Sequence, residues 1–211
     1  MKRFINQDVE DYAKKFSKEE PELLQELSRE TWQSMEWPQM LSGRLSGRFL
    51  KLLVQISRAK TVVEVGMFTG YATLSMAEAL GNDGKIIACE LDEKNAAFAQ
   101  KYFARSPFSS KIDVRVGKAL DTIAKVEAPI DLAFIDADKE NYKNYYEAIL
   151  NKMVSGGIIV IDNCLWSGSV LNPQEPSDIA IHEVNELVAK DERVENVILT
   201  VRDGLNLIRK K

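Results

Sequence analysis

Histidine occurs once in the 211 residues, at His182, and that scarcity removes two broad classes of chemistry. A Ser-His-Asp arrangement needs a histidine beside its nucleophile, and a multi-histidine metal centre needs several. Cysteine is nearly as scarce. Cys89 and Cys164 lie far apart and form no C-x-x-C pair. A disulfide framework and a zinc site are thereby excluded, and a reducing cytoplasm is the expected compartment. No apolar run approaches the ~20 residues that span a bilayer. The stretch MKRFINQDVEDYAKKF starts basic but has no apolar segment behind it, so it does not read as a secretory leader. Positive charge is not in excess either. The 28 Lys and Arg residues are outweighed by 32 Asp and Glu, for a net charge of −4. Nucleic-acid binding calls for a basic face, so no nucleic-acid partner is expected. Arg209, Lys210 and Lys211 read as a solvated end.

What is present is ordinary globular composition, 45% hydrophobic and 28% charged, in a chain long enough for a sizeable core. No linker, repeat or low-complexity stretch interrupts it. One domain is expected over 1–211, with a helical N-terminal extension over 1–39. Glu19-Glu20-Pro21 opens a helix that runs through LLQELSRETWQSM and stops near Pro38. Leu45, Phe49, Leu52, Leu53 and Ile56 fall at helical spacing and form a predicted core stripe. From residue 61 onward short β-branched runs alternate with helical segments. The strand-like runs are TVVEV, KIIACE, KIDVRVG, IDLAFID and GGIIVID. Two further runs, VENVILTV and LNLIRK, flank Arg202-Asp203-Gly204, and Asp-Gly between strands is a hairpin signal. The pattern predicts an α/β fold: a mostly parallel sheet covered by helices on both faces, with an antiparallel strand from the C-terminal hairpin at or near the edge.

In such sheets ligands sit beyond the carboxyl ends of the strands. Four of the five parallel runs end in oxygen-bearing groups. After the first come Glu64, Gly66, Gly70 and Tyr71; after the second, Glu90; after the fourth, Asp136, Asp138 and Lys139; after the fifth, Asp162 and Asn163. Turns to water would account for one or two of these, whereas all four on one rim suit a site. Gly66 and Gly70 alone also suit a tight strand-to-helix turn. With Glu90 about twenty residues on, placed to accept from ribose hydroxyls, they point to a nucleoside-bearing cofactor. The spacing is G-x-x-x-G, with Met67 and Phe68 where a diphosphate needs bare backbone. That favours a cofactor without phosphates, such as S-adenosylmethionine. Asp136, Asp162 and Asn163 offer the oxygen donors of a hard divalent ion, although Asp-Asn is also a common turn pair. Cys164 reads as an inert filler, His182 as a surface or packing residue, and Tyr142, Tyr145 and Tyr146 as mostly core or helix-face residues. Trp166 either roofs a substrate or packs a loop.

Together, EVGMFTGYATLSMA, ELDEKN, IDADKENY and GGIIVIDNCLWSGSV resemble the cation-dependent O-methyltransferases, the caffeoyl-CoA and catechol O-methyltransferase family. The resemblance covers nearly the whole chain from about Met40. It implies a Rossmann-like, seven-stranded class I methyltransferase fold. It implies S-adenosylmethionine as donor, S-adenosylhomocysteine as product, and a divalent cation, Mg2+ with Ca2+ or Mn2+ as alternatives. By the same resemblance Met40 would line the methionine end of the cofactor, and Glu64 and Gly66 its amino-acid portion. Tyr71 joins these cofactor contacts, and Ser75 would bind the carboxylate. Glu90 would hold the ribose, Gly117, Lys118 and Ala119 would flank the adenine, and Asp138 would meet the amino group. Asp136, Asp162 and Asn163 would bind the metal, which also places Asp136 beside the cofactor. Lys139 would be the general base, and Trp166 with Met40 would border the acceptor. The acceptor would be phenolic: catechol-like or phenylpropanoid, CoA esters included. A homodimer is also implied. Two departures stand out. Ser46 precedes Gly47 where the family often has glutamate, and NPQEPS lies where acceptor loops differ. Acceptor identity is therefore not carried over. The rival readings are a nicotinamide-dependent oxidoreductase, which the missing third glycine opposes, and a non-catalytic cofactor-binding module. The complete set Asp136, Lys139, Asp162 and Asn163 opposes the second.

Overall fold

The computed structural model describes residues 4–127 and 129–211. Seven strands form one sheet: β1 Thr61–Val65, β2 Lys85–Glu90, β3 Ile112–Val116, β4 Ile130–Ile135, β5 Met153–Asp162, β6 Val194–Leu199 and β7 Leu205–Lys210. Their order is β3-β2-β1-β4-β5-β7-β6. β1 to β5 pair in parallel, and β7 enters antiparallel between β5 and β6. The antiparallel strand therefore lies one place in from the edge. The helices are α1 Gln7–Phe16, α2 Glu22–Ser34, α3 Gly43–Ser57, α4 Tyr71–Ala77, α5 Glu93–Phe103, α6 Ala119–Ala124, α7 Tyr142–Leu150 and α8 Pro176–Lys190. None of those described is long and apolar enough to cross a membrane.

Successive strand residues point to opposite faces, and both faces are dry. Val63, Val65, Ala133, Ile135, Ile159 and Ile161 pack on one side with α7 and α8 residues such as Tyr146, Ile149, Ile181 and Val184. Val62, Leu132, Phe134 and Val160 pack on the other with α3 and α4 residues such as Leu50, Val54, Ala72 and Met76. Each of the larger buried aliphatic side chains contributes roughly 1.5–3 kcal/mol. A third cluster joins Leu24 and Leu27 of α2 to Met67, Tyr71, Tyr102 and Phe103.

The predicted α3 stripe is displaced. Leu53 is buried, but Leu52 and Ile56 are 54% and 75% exposed, and the inward face is Ser46, Gly47, Leu50, Leu53 and Val54. The cause is close helix packing: a Cβ on Gly47 would stand 2.7 Å from Ser75 Oγ and from a Tyr71 ring carbon. β5 begins three residues before GGIIVID, at Met153.

Candidate active site

Because β2, β1, β4 and β5 are neighbours running in one direction, their C-terminal residues share one rim. A cleft of about 1010 Å³ opens there, lined by Met40, Gly66, Tyr71, Glu90, Gly117, Lys118, Ala119, Asp136, Asp138, Lys139, Asp162, Asn163 and Trp166 among others.

Gly66 makes the turn out of β1 with φ +90°. A Cβ here would lie 1.9 Å from the Asp136 carbonyl oxygen, so no other residue fits without moving β4. The Gly66 and Met67 N–H groups donate to the Cys89 carbonyl at 3.1 and 3.0 Å, which ties this turn to the end of β2. The last residue of β2, Glu90, is 8% exposed. Its Oε2 accepts the Phe68 N–H at 2.6 Å; its Oε1 accepts the N–H groups of Leu91 and Asp92 at 3.1 and 3.0 Å and the Asn95 amide at 3.4 Å. The carboxylate is thus fixed at the mouth of the cleft, with the 66–71 turn on one side and α5 on the other.

At the end of β4, Lys139 is nearly enclosed. Its Nζ donates to Asp136 Oδ1 at 3.0 Å, to Asn163 Oδ1 at 2.8 Å and to the Tyr142 hydroxyl. The ammonium also lies 4.6 Å from the Tyr142 ring centre and 5.3 Å from that of Trp166. Asp162, 2% exposed, stands at the end of β5 and accepts the Asn163 N–H at 2.7 Å. Burial, then the neighbouring Asp136 carboxylate, push its pKa up to about 7. Two carboxylates and an amide oxygen therefore converge where one cation, the lysine ammonium, already sits. An all-oxygen donor set of this kind fits a hard divalent ion. No group of three or more His, Cys, Asp or Glu side chains forms a metal site among the described residues, and here the third donor is an amide. Asp138 is oriented by Tyr145, whose hydroxyl donates to Oδ1 at 2.6 Å, and by the Asn141 amide.

Two residues expected at the cofactor do not reach the cleft. Glu64 is fully buried on the α4 side of β1, with Oε2 accepting from the Thr73 hydroxyl. Burial pushes its pKa up to about 8. Ser75 is fully buried in α4, and its hydroxyl donates to the Tyr71 carbonyl at 2.9 Å. Both look inward because α4 presses flat on the sheet, all seven of its residues buried. Three residues read otherwise, or not at all, at the rim do touch it. Tyr142 and Tyr145 hold Lys139 and Asp138, and their i, i+3 spacing behind IDADK was the available signal. Arg202 lines the cleft from the β6–β7 turn, with no signal in its neighbourhood.

The sequence profile described as O-methyltransferase matches residues 14–211. A caffeoyl-CoA O-methyltransferase of Petroselinum crispum is 35% identical over 206 residues, covering 90% of this chain and 85% of that protein. A probable caffeoyl-CoA O-methyltransferase 2 of Dictyostelium discoideum is 34% identical over 213 residues, covering 97% and 92%. Among solved structures, an O-methyltransferase from Bacillus cereus in complex with SAH superposes with a TM-score of 0.89 at 29% identity, covering 97% of each chain.

Proposed function

The chain belongs to the O-methyltransferase family, and on that premise we propose that it moves a methyl group from S-adenosylmethionine to one hydroxyl of a catechol-like acceptor, with a divalent cation bound. The observation that carries this reading is the bridge from Lys139 to Asp136 and Asn163, with buried Asp162 beside them. The SAH in the Bacillus cereus structure supports the cofactor assignment. The caffeoyl-CoA relatives support a phenylpropanoid acceptor carrying adjacent hydroxyls.

In this reading Gly66 and Tyr71 border the methionine portion of the cofactor, with Met40 across from them. Asp138 receives its amino group, Glu90 its ribose hydroxyls, and Gly117, Lys118 and Ala119 its base. Asp136, Asp162 and Asn163 hold Mg2+, or Ca2+ or Mn2+ in its place. Such a cation, when bound, favours the deprotonated form of a coordinated hydroxyl. Lys139 would leave its contacts with Asp136 and Asn163, give up one ammonium proton to solvent, and as the neutral amine accept the phenolic proton at Nζ. Trp166 and Met40 bracket the aromatic ring and exclude water. Fixing both reactants at attack distance accounts for roughly 7–11 kcal/mol of barrier lowering in well-oriented systems. The exposed Val9, Tyr12 and Phe16 of α1 support a homodimer contact.

The deciding experiment is calorimetric titration with S-adenosylhomocysteine, with NAD as control. Micromolar binding of the first and none of the second is the expected result. NAD binding alone would turn the reading into that of an oxidoreductase.

A further inference from the structure

The turn joining β6 to β7, Arg202-Asp203-Gly204, grips two opposite walls of the cleft. On one side Arg202 donates from Nη1 to the Ser42 carbonyl and from Nη2 to the Leu41 carbonyl at 3.1 Å. Both acceptors belong to the 39–42 segment that lines the cleft. An arginine in a hairpin turn ordinarily reaches water; this one reaches 160 positions back along the chain. On the other side Asp203, 1% exposed, accepts the Ser167 N–H on Oδ1 at 2.6 Å. The carbonyls of Asp203 and Gly204 accept the N–H groups of Leu165 and Cys164 at 2.9 and 3.2 Å. Those three donors belong to the loop that carries Asn163 and Trp166 into the cleft.

The contact is tight and conformationally demanding. A Cβ on Gly204 would meet Leu165 Cγ at 2.5 Å and Cys164 Sγ at 2.8 Å. Left-handed backbone is concentrated here: Arg202 at φ 52° on the turn, and Asn163, Trp166 and Ser167 at 58°, 44° and 54° on the loop opposite. Non-glycine residues hold such angles only where the surroundings over-determine them. The hydrogen bonds from this turn are those surroundings.

We propose that the Arg202-Asp203-Gly204 corner sets the separation of the two walls, with Arg202 and Asp203 as positioning residues for different ligands of the same reaction. Arg202 fixes the 39–42 wall against the cofactor. Asp203 fixes the 163–168 loop on the acceptor side. The planar guanidinium serves two adjacent carbonyls at once, which a lysine ammonium on a flexible stem does not reproduce. The cofactor arm rests on the proposed function above; the clamping of each wall does not.

The test is hydrogen–deuterium exchange on the full chain, read for segments 39–43 and 163–168, alongside calorimetric titration with S-adenosylhomocysteine. Arg202→Gln should speed exchange in 39–43 alone and weaken binding about tenfold. Asp203→Ala should speed exchange in 163–168 alone and leave binding within about twofold. Arg202→Lys should restore protection only in part, and Asp203→Asn, which keeps an acceptor for the Ser167 N–H, should restore most of it. A merely structural role would loosen both segments together in either variant, and that result overturns the proposal. So does unchanged exchange in both. If the wild-type chain does not bind S-adenosylhomocysteine, the cofactor reading fails, and the exchange pattern still decides whether the corner clamps each wall.

Discussion

Lys139, just past the end of β4, donates to the amide oxygen of Asn163, just past the end of β5, across 2.8 Å. The ammonium thus occupies the ground that a divalent ion held by Asp136, Asp162 and Asn163 would claim. On the proposed reading a bound cation would displace this lysine from both contacts, and its nitrogen, after losing a proton to solvent, would take the phenolic one. Lys139→Ala should therefore retain S-adenosylhomocysteine binding and lose roughly 10²–10⁴-fold in kcat. Lys139→Arg should not rescue it, because arginine stays protonated. Steady-state rates with catechol and caffeoyl-CoA as trial acceptors decide this, and turnover by the arginine variant near wild type would remove Lys139 as the base.

Chelation and Asp136→Ala should act alike. Both should abolish turnover of those acceptors, with activity returning to the wild type alone on addition of Mg2+, Ca2+ or Mn2+. Calorimetry should show most of the S-adenosylhomocysteine affinity retained in Asp136→Ala. Full activity of that variant in chelator would end the metal reading.

Gly66→Ala places a methyl group 1.9 Å from the Asp136 carbonyl oxygen, at a backbone angle of +90°. The ends of β1 and β4 must then part, breaking the 2.8 Å bond from the Asp136 N–H to the Val65 carbonyl. Strain and overpacking together should cost about 3 kcal/mol or more. Thermal unfolding should show a lowered midpoint and calorimetry a lost cofactor site. An unchanged midpoint with unchanged binding would contradict the geometry.

Asp191 offers a pH test away from the site. Its carboxylate accepts from the Arg193 guanidinium at 2.6 to 3.1 Å and from the Tyr146 hydroxyl at 2.8 Å. Arg193 foremost holds its pKa well below the usual carboxylate range. A depressed pKa in the folded state means stabilisation that is present above the ordinary value near ~3.9 and fades as the pH falls toward the folded one. Asp191→Asn should lose about 1 kcal/mol at neutral pH. Urea titrations should show that gap narrowing between pH ~5 and pH ~2. A gap of constant size would mean that charge is not its source.

Much of this arrangement is written in local pattern. TVVEV, IIACE and GGIIVID announce themselves as strands because parallel strands buried on both faces need β-branched residues at nearly every position. The polar residues just after them stand out for the same reason, and Gly66, Glu90, Asp136, Asp162 and Asn163 were legible from that contrast. Roles within α4 were not. Glu64 and Ser75 are oxygen-bearing residues beside a glycine turn, and only the flat packing of α4 shows that they face inward. The α3 stripe misled because close packing against α4 replaces large apolar residues with Gly47 and Ser46, while Leu52 and Ile56 face outward. Tyr142 and Tyr145 read as core and are core; their hydroxyls nonetheless reach Lys139 and Asp138. Arg202 was out of reach of any local rule, since its partners are Leu41 and Ser42.

The place of β7 between β5 and β6 bears on the order of events at the ribosome. Residues emerge at about 5–20 per second. β5 ends at Asp162 and the hairpin begins at Val194, so β1 to β5 emerge seconds before it. Throughout that interval the edge of β5, from Ile158 to Asp162, has no partner, and the 163–168 loop lacks the turn that holds it. A nascent chain halted just short of Arg202 would carry Asp136, Lys139, Asp162 and Asn163, yet expose a bare strand edge to its neighbours. Protection from strand-to-strand association thus arrives with residues 205–209, directly after the turn that holds the loop.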